Sequence, residues 1–214
     1  MAHLQTATAV GRPSRLSPQA SRPRTPSRAR RPQRQARRLP HEPILDRALK
    51  RVRLFLCDVD GVLTDGGVTM GDGREYKRFN IRDGLGLRLL QKQGIRVGWI
   101  SARPSVVTEQ RATDLKIDFL HQEQGSKVAG AESILARTGL AWEDVCFVGD
   151  DLVDLGALKR AGLAVAVADA IDEAKALAHY VTRAAGGHGA IREIATMILK
   201  AQNKWSGLVK EFGA

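Results

Sequence analysis

Short apolar runs alternate with amphipathic stretches along most of the chain from residue 52 onward. The runs at 52–58, 95–100, 117–120, 143–148 and 164–167 are short and rich in β-branched or bulky residues, so they read as buried strands. Tyr180 and Val181 suggest a last, shorter one. Between them lie helical patterns. A brief lead-in covers 45–50. A helix over 84–93 has Asp83 as its cap and Gly94 as its stop. Ser105 caps a helix to about residue 114. Ser126 opens another to residue 138, with Lys127 in its first turn and Gly139 as its stop. Further helices are expected over 152–160, 171–178 and 190–201, and a mobile end over 202–214. Strands alternating with helices in this way predict an α/β fold, a doubly wound and mostly parallel sheet with helices on both faces.

One stretch breaks the alternation. Residues 66–80 carry Val68, Met70, Tyr76 and Phe79 around a Gly71-Asp72-Gly73 turn. This is the composition of a β-hairpin inserted after the first strand. It is too short to form a cap domain, and it has edges and apolar residues to offer a neighbouring subunit.

Charge changes the picture only at one end. Residues 1–40 hold ten arginines and no lysine or acidic residue, which leaves 24 basic against 23 acidic residues in the rest of the 214. The formal +11 therefore belongs to the tail. Residues 1–45 lack a periodic apolar pattern, so disorder is expected there, followed by one folded domain over 46–214. The tail's composition is compatible with a solvated extension, an organelle transit peptide or an electrostatic arm. It has neither aromatic residues to stack on single strands nor the apolar core of a secretory signal. The balanced folded part argues against a nucleic-acid partner, and no apolar run reaches the ~20 residues that span a bilayer. The two cysteines, Cys57 and Cys146, lie in apolar strand-like runs and fit a reducing, cytoplasmic setting.

Polar chemistry gathers where strands end. The first strand ends in Asp58 and Asp60, followed by Gly61, Thr64 and Asp65. The second ends in Ser101, and the fourth in Gly149-Asp150-Asp151 with Asp154 three residues on. Lys127 begins a helix. Strand ends of a doubly wound sheet meet along one edge, so these groups can converge. Several carboxylates without His or Cys suit a hard cation, Mg2+ above zinc. A cation, an ammonium and a hydroxyl together cradle a phosphate-like oxyanion. Phosphate monoester hydrolysis is among the slowest uncatalysed reactions, and no single group accounts for its acceleration, so a distributed site suits it.

The segments DVDGVLTDG, ISARPS, the lysine of QGSKVAG, and GDDLVDLGAL resemble the four motifs of the haloacid dehalogenase superfamily of phosphohydrolases. Within it, FNIRDGLGLRLL, VAVADA and YVTRAAGGHGAIREI are similar to the capless sugar-acid phosphatases. The resemblance implies a Rossmann-like subunit and a homotetramer with the hairpins at its centre. It implies Mg2+-dependent hydrolysis of a phosphorylated eight-carbon sugar acid, with a nine-carbon acid or a non-catalytic tetramerisation module as alternatives. By the same resemblance Asp58 is the nucleophile and Asp60 the acid and base, its backbone carbonyl also binding metal. Ser101 holds the phosphoryl group and Lys127 neutralises it. Asp58, Asp60 and Asp150 are metal ligands, and Asp151 and Asp154 hold metal-bound water or orient Lys127. Thr64, Arg82, Arg103 and His188 are assigned to the substrate. Two positions depart from the pattern: Ala102 replaces the usual glycine after Ser101, and His188 stands where arginine is common in the Gly-Gly-x-Gly loop.

Overall fold

A computed structural model describes residues 42–214. Its elements in order are α1 (Glu42–Arg51), β1 (Leu54–Cys57), β2 (Thr69–Gly71), β3 (Arg74–Tyr76), α2 (Ile81–Lys92), β4 (Arg96–Ser101), α3 (Val106–Asp114), β5 (Phe119–Gln122), α4 (Lys127–Thr138), β6 (Val145–Gly149), α5 (Leu155–Leu158), β7 (Leu163–Ala166), α6 (Asp172–Leu177), β8 (Tyr180–Val181), α7 (Ala190–Ala201) and α8 (Trp205–Phe212). The expected tail lies outside the described residues, except that 42–45 already belong to α1.

Six strands form one sheet in the order β5-β4-β1-β6-β7-β8, every pair parallel. β2 and β3 form the separate antiparallel hairpin. β1, β6 and β7 are buried at every position. Residues alternate between faces along a strand, so both faces must be covered. α1, α2, α7 and α8 pack as one group and α4, α5 and α6 as another. Connections leave β1 toward β4 and β5, then return to β6 on its other side, which makes the β1/β6 border the switch point of the sheet.

Several local expectations needed correction. Asp83 does not cap α2. Asn80 does, accepting from the Arg82 amide at 2.8 Å. Asp83 is buried instead, and accepts from the Gly189 and Arg192 amides at 3.1 and 2.7 Å, so it caps α7 across the fold. The end of the chain is not irregular: α8 lies against α7 with Leu208 only 3% exposed. The amphipathic spacing of Trp205, Leu208, Val209 and Phe212 is the signal for it. Residues 152–154 are a 3-10 turn before α5, not a continuous helix.

Candidate active site

The register of the sheet builds the site. Cys57 pairs with Trp99 on one side and Val148 on the other, so the residues following β1 lie beside the ends of β4 and β6. The Asp58 amide donates to the Val148 carbonyl at 3.0 Å. One carboxylate oxygen of Asp58 accepts from the Val59 amide at 2.6 Å, and the other lies 2.7 Å from the Lys127 ammonium. Lys127, the first residue of α4, has a nearly buried side chain and also donates to Asp154 at 2.7 Å. The second Asp154 oxygen accepts from the Asp150 and Asp151 amides at 2.9 and 3.2 Å.

Oxygens of Asp58, Asp150 and Asp154 lie within 4.8 Å of one another. One ammonium cannot balance three carboxylates held this close. Burial, opposed by Lys127 and reinforced by Asp154, pushes the Asp58 carboxyl up to about 6. Burial and the charges of Asp58 and Asp154 push Asp150 up to about 8. Burial alone would lower the Lys127 pKa, but Asp58 and Asp154 outweigh it and raise it. Asp150 also has one buried oxygen, Oδ1, without a hydrogen-bond partner. An orphaned carboxylate oxygen amid excess negative charge fits a divalent cation bound through oxygen.

Glycine is required where the backbone must pass this cluster. Gly61 has φ of +90°, and a Cβ there would fall 2.1 Å from Asp150 Oδ2. Gly186 lies so close to the Gly61 carbonyl oxygen that a Cβ would sit 1.8 Å away. The Gly-rich loop before α7 is thus a brace for the loop that follows Asp58.

The remaining predicted residues divide. Ser101 is buried at the end of β4, where its hydroxyl donates to the Arg103 carbonyl at 2.9 Å and accepts from the Arg103 amide at 3.1 Å. Thr64 is fully buried and braces the loop, accepting from the Gly61 and Gly66 amides at 3.3 and 3.2 Å. That corrects its assignment to substrate. Asp151 is exposed and spends its carboxylate on the Leu152 amide at 2.6 Å, so it is not brought into the cluster. The Asp60 carboxylate is also outside it, turned to the hairpin. Arg103 pairs with Glu75 through both guanidinium nitrogens, at 3.0 and 2.5 Å. Arg82 and His188 line a separate basic cavity of about 470 Å³ with Arg183, Arg192 and Lys200. The His188 ring reaches the Gly186 carbonyl at 2.7 Å and the Arg78 guanidinium at 3.3 Å.

Sequence reasoning missed the polar side of the hairpin. Glu75 and Lys77, two residues apart, point the same way in extended chain, which was the available signal. The Lys77 ammonium lies 2.8 and 2.9 Å from the two oxygens of Asp60, 3.2 Å from Thr108 Oγ1 and 3.4 Å from Glu75. Glu75 also accepts from the Ser105 hydroxyl at 2.8 Å.

A buried aspartate clamped by lysine at the switch point, beside a carboxylate cluster that could hold a cation, is an arrangement suited to a phosphohydrolase. The model of the haloacid dehalogenase-like hydrolases matches residues 116–194. The 3-deoxy-D-manno-octulosonate 8-phosphate phosphatase of Yersinia pestis is 44% identical over 169 residues, 77% of this chain and 90% of that protein. Its crystal structure superposes with a TM-score of 0.75 at 43% identity, covering 77% of this chain and 89% of that one. The Moraxella catarrhalis enzyme, solved with magnesium, phosphate and the sugar acid, gives 0.77 at 35% identity, covering 78% and 97%. The cobalt-bound Haemophilus influenzae enzyme gives 0.72 at 37%, covering 74% and 94%. The chain belongs to the haloacid dehalogenase superfamily and, within it, to the family of the 3-deoxy-D-manno-octulosonate 8-phosphate phosphatases. It is a phosphoric monoester hydrolase.

Proposed function

We propose that this chain hydrolyses 3-deoxy-D-manno-octulosonate 8-phosphate to the free sugar acid and phosphate, in the cytoplasm, as a step of lipopolysaccharide sugar synthesis. The observation that carries the chemistry is Lys127 held between Asp58 and Asp154 at 2.7 Å each. It fixes a nucleophilic carboxylate beside a charge sink for the transferring phosphoryl group.

Asp58 attacks phosphorus, the bond to the sugar oxygen breaks, and that oxygen takes a proton from Asp60. An aspartyl-phosphate results. Asp60 then takes a proton from water as the water attacks the same phosphorus, and phosphate departs with the Asp58 carboxylate restored. Ser101, at the end of β4, is assigned to a phosphoryl oxygen. Asp58, Asp150 and the Asp60 backbone carbonyl are the proposed Mg2+ ligands, with Asp154 fixing Lys127 and the Asp150 amide. The bound cation supplies positive charge against the phosphoryl oxygens.

Arg103, Arg82 and His188 remain the proposed contacts for the sugar acid, and this assignment carries the choice between eight- and nine-carbon substrates. A homotetramer is also proposed. Val68, Met70, Tyr76, Ile81 and Val106 are exposed on and around the hairpin, and an apolar surface of this kind suits a second copy of the chain.

The test is phosphate release from 3-deoxy-D-manno-octulosonate 8-phosphate and from a nine-carbon sugar acid 9-phosphate, with and without Mg2+. Fast, Mg2+-dependent turnover of the first, abolished in Asp58→Asn, is the expected result. Faster turnover of the nine-carbon compound would replace the substrate assignment. Silence of the folded protein on both would point to a non-catalytic tetramerisation module.

A further inference from the structure

We propose that Lys77 is the positioning residue for Asp60, so that the hairpin, and not the sheet, aims the group that moves protons in the reaction. This rests on the reading of Asp60 as acid and base given above.

The Lys77 side chain is fully buried, 0% exposed, although it follows β3 in a hairpin exposed at every strand position but Glu75. A buried ammonium is costly unless its donors are used. Here they are used. Hydrogen bonds go to Asp60 Oδ2 at 2.9 Å and to Thr108 Oγ1 at 3.2 Å, and the ammonium lies in ion-pair contact with Asp60 Oδ1 at 2.8 Å. Thr108 is itself buried on α3, where its amide donates to the Ser105 hydroxyl oxygen at 3.3 Å. Glu75 adds a contact to Lys77 at 3.4 Å while holding Arg103 and Ser105.

Nothing in the catalytic loop performs this task. Asp58 is fixed by the Val59 amide and Lys127. No hydrogen bond or ion pair to the Asp60 carboxylate other than that of Lys77 is found among the described residues. Without that contact, no bond to its carboxylate restrains the Asp60 side chain from turning about its own bonds. Both oxygens facing one ammonium remove that freedom. The carboxyl then meets the leaving oxygen, and later the attacking water, in one orientation. Misplacing a catalytic group by about 1 Å can cost ~100-fold in rate.

The experiment compares kcat/KM for the sugar-acid 8-phosphate with kcat/KM for p-nitrophenyl phosphate. Both report formation of the phospho-enzyme. A sugar alkoxide needs a proton to leave, and nitrophenolate does not. Asp60→Asn is the reference, and it should depress the sugar ester far more than the aryl ester. Lys77→Met should lower the sugar ester by roughly 100-fold and the aryl ester by about tenfold less, with a larger change in kcat than in KM. In the Asp60→Asn background, Lys77→Met should then cost nothing further, because a residue acting only through Asp60 has nothing left to act on.

Thr108→Val, which removes one support of the ammonium, should move the ratio in the same direction by less. It carries the test if Lys77→Met fails to fold. Equal loss on both esters, with an unchanged ratio in folded Lys77→Met or Thr108→Val, would overturn the assignment and leave Lys77 a structural ion pair. A ratio unmoved by Asp60→Asn itself would instead refute the acid role of Asp60, a separate failure.

Discussion

Three carboxylates around one ammonium cost stability at the residue scale. Asp150 shows it most directly, with a carboxyl raised to about 8 and one buried oxygen unpartnered. Asp150→Asn should therefore raise the melting temperature of the metal-free protein, by roughly 2–4 °C for each kcal/mol of repulsion relieved. The same variant should lose the further rise that Mg2+ gives the parent. Calorimetry with and without Mg2+ measures both, and a variant that melts lower without metal and still responds to it would contradict the assignment. Gly186 illustrates the opposite kind of residue, chosen for what it lacks. Gly186→Ala forces a methyl into the Gly61 carbonyl, so expression should yield protein of lowered melting temperature and little phosphatase activity. An unchanged enzyme would show that the loop has room to yield.

The hairpin and α8 are the elements whose behaviour the structure makes testable. Hydrogen bonds from Arg103 hold the Glu75 carboxyl down, from an ordinary 4.5 to about 2, with burial opposing. A depressed carboxylate binds fewer protons in the folded state. Its contribution is complete above about pH 4.5 and is lost as pH falls through about 2. The Met70 methyl resonance should accordingly change between those values, and Glu75→Gln should show the changed spectrum already at pH 6. A spectrum insensitive to both would mean that Glu75 does not anchor the hairpin. Leu208 seats α8 against α7, and Leu208→Ala should cost about 2 kcal/mol in denaturant unfolding, the low end for a buried leucine because a terminal helix can settle into the gap. No loss would mean that α8 is not part of the cooperative fold.

At the scale of the whole molecule, the proposed assembly and the proposed reaction meet in the same hairpin. Its Met70 is 69% exposed while the Lys77 side chain a few residues on is fully buried against Asp60. Met70→Asp should reduce the mass seen by light scattering from tetramer to smaller species, by placing charge in the proposed apolar contact. A parent that is monomeric, or a variant of unchanged mass, would remove the hairpin from the interface. No helix among the described residues is long and apolar enough to cross a membrane.

The alternation of apolar runs and amphipathic stretches was sufficient by itself to determine the α/β class and the inserted hairpin. It also placed Asp58, Asp60, Ser101, Lys127 and Asp150 at strand ends or helix starts. Those features depend on local periodicity and on residues whose chemistry is unusual where a strand ends. Tertiary structure alone decided the partners. Asp83 looks like a helix cap in sequence but closes the start of α7 more than a hundred residues away. Thr64 looks like a ligand but braces its own turn. Lys77 looks like a surface charge until the hairpin folds back and buries it on Asp60. Short-range pattern records what a backbone segment will become. The partner of a polar side chain depends on which distant segment the packed sheet brings beside it, and no local pattern encodes that.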